Sequence, residues 1–176
     1  MPLTIDPYDE YDRLRYFYDV TTSLLDRSDD ALFSTLPEMS GWSPAQHLDH
    51  IWLANGKSLM AAAYAAEGKK TVADGALNDA GRALLANETI PRGQMSAPEN
   101  VSPPHGLDRN RLRQTLARSQ KALATVSDAM GMLPEATGRI PHPALGALTA
   151  TQWLRFVRIH SDHHLDIVND ILNAGE

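Results

Sequence analysis

The sequence predicts an all-α fold, a four-helix bundle with one long crossover connection. Three observations carry this reading: four long segments with helical apolar spacing, two capping boxes that open the second and fourth of them, and no strand-like alternation long enough for a sheet. The first segment, about Pro7 to Asp26, sets Tyr11, Leu14, Tyr18 and Val20 to Leu25 at roughly helical spacing. The second opens with Ser43-Pro44-Ala45-Gln46, where a Ser cap, a first-turn proline and Gln three residues after the cap satisfy otherwise orphaned N–H groups. It runs through the alanine-rich LMAAAYAAE and stops at Gly68, a residue type that ends helices because it accepts a left-handed backbone. The third follows Asp108 and reaches Gly131; the fourth starts at Thr149, with Gln152 completing its capping box, and ends near Asn173.

A long connection, residues 69–107, joins the second and third segments. Its first half has the pattern of a short helix from about Leu77 to Ala86, whereas IPRGQMSAPENVSPPHG, with four prolines, is irregular. A second proline-marked turn, Pro134 to Pro143, precedes the last segment. With no internal repeat and 176 residues, of which 43% are hydrophobic, the expected organisation is one domain covering 1–176.

Composition then removes whole classes of function. A net charge of −6 lacks the basic face that nucleic-acid binding requires. The absence of cysteine excludes disulfides, thiolate nucleophiles, Cys-ligated zinc and iron–sulfur clusters, so any metal must be held by His, carboxylate, carbonyl or water. The longest apolar run, Leu59 to Ala66, is far below the roughly 20 residues of a membrane span. The opening MPLTIDPYDE has neither a basic nor an apolar stretch, so the expected location is the cytoplasm.

Chemistry concentrates in the histidines at 47, 50, 105, 142, 160, 163 and 164. Five fall in two clusters, HLDHI in the second helix and HSDHH in the fourth. Residues four apart on a helix are offset by about 40° and about 6 Å, so two imidazoles at that spacing can converge on one ion. With His160 at zero and about 100° per residue, Trp153, Phe156, Val157, Ile167, Val168 and Ile171 form an apolar band from about −40° to +80°. His164, near +40°, lies inside that band and His163, near −60°, at its margin. Arg155, Arg158, Asp162, Asp166 and Asn169 occupy the other side, and read as solvated charges. Two imidazoles on a core stripe need partners, and at chelating spacing a shared metal is favoured over hydrogen-bonded core histidines. The pair is not the zincin motif, because Ser161 stands where that motif has its Glu. A third ligand is expected from a facing helix. His47 and His50 both qualify, and phase does not separate them because the second helix is apolar almost all round.

WSPAQHLDHI, followed by GALTATQWLRFVRIHSDHH, resembles the DinB/YfiT-like superfamily of metal-dependent enzymes. APENVSPP and the Leu-rich third helix resemble the central part of its members, and the likeness spans about residues 10–172. The resemblance implies an up-down-down-up four-helix bundle in which three histidines bind zinc, nickel or a similar divalent ion. One ligand follows the tryptophan of WS(P) by eight positions, which makes it His50 and leaves His47 a neighbour; His160 and His164 supply the others. Many members carry Gln three positions after the last ligand, where this chain has Ile167. Characterised relatives are similar to transferases that use low-molecular-weight thiols such as bacillithiol, mycothiol or glutathione, and others are regarded as hydrolases.

Three imidazoles leave a coordination position open, as catalytic rather than structural sites do, and the ion can activate water or a thiol. The expected partner is therefore a small-molecule substrate, with a low-molecular-weight thiol as candidate cosubstrate. The competing expectation is a non-catalytic, metal-binding or structural bundle that forms a homodimer through an apolar helix face. Asp49, Asp162 and Asp166 read as solvated positions, Trp42 as a staple at the start of the second helix, and His105 and His142 as exposed loop residues.

Overall fold

The structure is a computed structural model that describes residues 4–93 and 97–175; residues 1–3 of the opening stretch, 94–96 of the proline-rich connection and 176 lie outside the described residues. It is mostly helical. Among the described residues there are six α-helices: α1 (Pro7–Leu24), α2 (Asp29–Phe33), α3 (Pro44–Ala66), α4 (Asp79–Asn87), α5 (Arg109–Ala129) and α6 (Ala150–Ala174). The four long ones correspond to the four periodic segments, and α4 to the short helix in the connection. Both capping boxes form: Ser43 with Gln46 at the start of α3, and Thr149 with Gln152 at the start of α6. The short α2, capped by Ser28, has no counterpart in the sequence reading.

Helix α3 packs against both α5 and α6, and α1 lies along α6. Leu14 and Phe17 of α1, Leu48, Trp52 and Leu59 of α3, Leu112 and Val126 of α5, and Leu154 and Val157 of α6 belong to one buried apolar cluster. Burying a side chain of this size contributes about 1.5–3 kcal/mol, so this shared cluster is what holds the long helices together. Polar ties cross it. Asn55 donates to Ser161 at 2.9 Å, and the Tyr18 and Ser119 hydroxyls are hydrogen-bonded; burial pushes the Tyr18 hydroxyl up to about 12.

The expectation of no sheet is corrected. Residues Arg139–His142 (β1) and Gly146–Thr149 (β2) form a two-stranded antiparallel hairpin within the second proline-marked turn. Each strand has only four residues, too few for alternation to register, and Pro141 interrupts the first. The crossover supplies further pairing: Val72 N–H donates to Arg139, Ala147 N–H to Ala76, and Asn78 N–H to Leu145. Hairpin and crossover thus form one wall beside α6. Gly146 is essential to it, with φ of +85° and the Ala76 carbonyl where a Cβ would sit. Gly146→Ala should therefore cost about 1–3 kcal/mol, read as a lower urea midpoint with an unchanged slope.

Arg155 and Arg158 are not solvated. Both guanidinium groups are buried between α6, α1 and the end of α4. Arg155 reaches Glu10 at 3.0 Å and the Leu85 carbonyl at 3.0 Å, and Arg158 reaches Glu10 at 2.7 Å; both also bond Glu88. Glu88 caps α4 in a left-handed conformation, φ 55°, that a non-glycine residue adopts at a cost, so its two arginines also hold a strained turn. Asp162, half-exposed, pairs with Arg158 at 3.3 Å and Arg13 at 3.2 Å, while Asp166 is exposed.

Candidate metal centre

Histidine 50 sits two turns into α3, and His160 and His164 sit mid-way along α6. The two helices bring one nitrogen from each ring within 4.8 Å of the others, a group that can hold a metal ion. The hydrogen bonds say which nitrogens are free. His50 Nδ1 faces the carbonyl of Val101 at 2.9 Å; a carbonyl only accepts, so the proton is on Nδ1 and Nε2 is bare. That bare Nε2 faces His160 Nε2 at 3.4 Å. Two nitrogens each bound to a tetrahedral zinc at about 2.05 Å stand about 3.3 Å apart, so this spacing matches that of two ligands on one ion. His164 Nδ1 is taken up by His47 Nδ1 at 2.9 Å, which leaves Nε2 as its free nitrogen. His160 Nδ1 is buried with no partner among the described residues.

Burial lowers the pKa of all three rings, and in His160 and His164 neighbouring histidines lower it further. In His50 the Val101 bond and Asp49 oppose that shift without reversing it. The rings are therefore neutral at physiological pH, with lone pairs available, as ligation requires. The donor set fits a divalent cation for which imidazole is a natural ligand.

A cavity of about 440 Å³ lies against this group. Trp153 and Phe156 of α6 form an aromatic wall, Leu84 and Ile90 come from α4 and the crossover, and Leu145 from the hairpin. His142 and His163 also line it. His142 accepts the Ala144 N–H on Nδ1 at 3.1 Å, so its proton is on Nε2; burial lowers its pKa to about 4 and keeps it a neutral donor. It is thus partly enclosed beside Trp153 and Phe156 rather than a solvated loop residue, whereas His105 is exposed and away from the cavity.

His47 does not belong to the three-nitrogen group but bonds one member of it, and its other nitrogen lies 2.8 Å from Ser40 Oγ. His163, half-buried on the cavity side, stays outside the group. Two further expectations are corrected. Trp42 is more than a staple: its indole packs on His47, His50 and His164 at centroid distances of 5.3, 5.1 and 6.4 Å. Asp49 is fully buried, accepting from Thr115 at 2.8 Å and Arg111 at 3.1 Å, so it anchors α3 to α5 directly beside His50. The Val101 carbonyl and Ser40 hydroxyl were not legible as site groups, because both depend on contacts between segments distant or irregular in sequence.

No curated protein and no solved structure matches the chain. A family model described as the DinB superfamily matches residues 13–168, a span that includes all three converging histidines, and the chain belongs to the DinB superfamily.

Proposed function

We propose that the protein is a metal-dependent enzyme in which His50, His160 and His164 hold one divalent cation, zinc or nickel, through their Nε2 atoms. The observation that carries this reading is the 3.4 Å approach of two Nε2 atoms, one of them bare, beside an apolar cavity. A cation held there supplies Lewis acidity at an open position, where water or a low-molecular-weight thiol is activated. The remaining work falls to the chain's own residues. Val101 fixes the orientation of His50. Trp153 and Phe156 exclude water and pack the apolar body of a small substrate. His142 offers an Nε2–H donor to a carbonyl or similar acceptor on that substrate. The reaction class is thiol S-transfer or hydrolysis of a small electrophile.

The same reading takes the four long helices as an up-down-down-up bundle forming one domain. It is supported by the long crossover between α3 and α5, which removes the need for those neighbours to run antiparallel.

The test is a rate screen with zinc- or nickel-loaded protein, using low-molecular-weight thiols against monobromobimane and chlorodinitrobenzene, and small esters for hydrolysis. Turnover should fall by at least about 100-fold in His50→Ala, which removes a ligand, and persist within about threefold in His163→Ala, which lines the cavity without joining the group. Equal activity of wild type and His50→Ala would sink the assignment.

A further inference from the structure

Beside the three-histidine group lies one more buried histidine than a three-ligand centre uses, and both of its ring nitrogens have a hydrogen-bond partner. His47 Nδ1 lies 2.9 Å from His164 Nδ1, His47 Nε2 lies 2.8 Å from Ser40 Oγ, and Ser40 Oγ accepts the Trp42 backbone N–H at 3.1 Å. Each contact needs one proton between its two atoms, and each neutral ring carries only one, so the chain can run in two ways. In one, Ser40 donates to His47 Nε2, His47 donates from Nδ1, and His164 carries its proton on Nε2. In the other, His164 donates from Nδ1 to His47, His47 donates from Nε2 to Ser40, and His164 Nε2 is bare. Only the second leaves His164 able to ligate, because a protonated ring nitrogen has no lone pair to give.

We propose that His47 is a positioning residue that, with Ser40 as terminal acceptor, holds His164 as the Nδ1–H tautomer and so presents its Nε2 to the cation. This rests on the metal reading above. Ser40 is suited to the role, since its oxygen already acts as an acceptor from Trp42 and has a second lone pair for His47. The Trp42 indole, packed on His47, His50 and His164, restrains the rings from turning out of this arrangement. The Ser40-Gly41-Trp42-Ser43-Pro44 stretch thereby has two tasks, to start α3 and to orient a ligand on α6. Val101 does for His50 what His47 does for His164.

The experiment measures zinc affinity by competition with a chromophoric chelator, alongside the thermal midpoint of each metal-free variant. His47→Leu removes the acceptor while keeping an apolar volume, and should weaken zinc binding about 10- to 100-fold, the effect of losing an outer-shell partner. His47→Asn places a carbonyl oxygen near the Nδ1 position, and should restore affinity to within about threefold of wild type. Ser40→Ala should give an intermediate loss. Leu and wild-type proteins binding equally, or Asn binding as poorly as Leu with an unchanged metal-free midpoint, would overturn the proposal. Should His47→Leu fail to fold, nitrogen-15 spectra of wild-type protein loaded with zinc decide it. A proton on His164 Nδ1 and on His47 Nε2 supports the chain as drawn, and one on His47 Nδ1 refutes it. If wild-type protein binds no zinc, the metal reading fails and takes this proposal with it; if wild type and His47→Leu bind zinc alike, only this proposal fails.

Discussion

Adding zinc to metal-free protein at about a thousand times its dissociation constant should stabilise the folded state by about 4 kcal/mol, and raise the thermal midpoint by about 8–16 °C for a chain of this length. In His164→Ala that shift should vanish, and metal analysis after chelator treatment and zinc reloading should fall from one ion per chain to a trace. The reasoning is geometric. His164 is the member of the group that lies closest to both others, with ring centroids 4.6 Å from His50 and 4.7 Å from His160, so its loss leaves two imidazoles with no third donor. The three histidines lie together in the folded chain and are scattered in the unfolded one, so nearly all the binding free energy appears as folding free energy. The control is His105→Ala, an exposed residue away from the cavity, which should retain the full shift. An undiminished zinc shift in His164→Ala would remove that residue from the centre.

How far the sequence reveals this molecule depends on whether a feature is local. The capping boxes at Ser43–Gln46 and Thr149–Gln152 are legible because every atom involved lies within one turn. The same holds for the placement of His160 and His164 on one stripe of α6, since helical phase is a property of that helix alone. Phase fails for Arg155 and Arg158 because it assumes one buried face, while α6 is covered by α3 on one side and by α1 and α4 on the other. Their partner Glu10 lies 145 residues from Arg155 and reads as a first-turn acid of α1. Asp49 is the same case: its burial depends on Thr115 and Arg111 of a helix that no pattern in α3 announces. Helical phase does not separate His47 from His50, because the difference lies in contacts between segments: His50 joins His160 and His164, and it meets the Val101 carbonyl of a connection that reads as irregular. Helical periodicity therefore displays the histidine pair on one helix, whereas the approach of the third nitrogen, its orientation and the cavity wall come from tertiary contacts.

The second large effect is expected at the buried ion cluster, away from the metal group. Arg158 and Glu10 are each only 2% exposed, and a charge buried there is tolerable only while its partner is present. Arg158→Met should leave Glu10 sharing Arg155 with Glu88, and should cost about 3–5 kcal/mol, or about 10 °C in thermal midpoint. Adding Glu10→Gln to that variant should recover part of the loss, because it removes the unpaired charge, and the two changes should be far from additive. Acid provides an independent check through Glu88. Burial alone would raise its pKa, but the Arg158 bond and the charges of Arg158, Arg155 and Arg13 outweigh this and set it below the usual carboxylate value. A carboxyl lowered on folding contributes stability that is complete above its unfolded pKa and lost as pH falls towards the folded one. Wild-type protein should therefore lose stability on acidification below about pH 4.5 more steeply than Arg158→Met, whose Glu88 has less to lose. Zinc affinity should stay within about threefold in the arginine variant at low temperature, since Arg158 faces α1 and α4 while the three-histidine group lies between α3 and α6. An Arg158→Met protein that melts with wild type would mean that the cluster merely neutralises itself, and that α1 and α4 are held to α6 by apolar contacts alone.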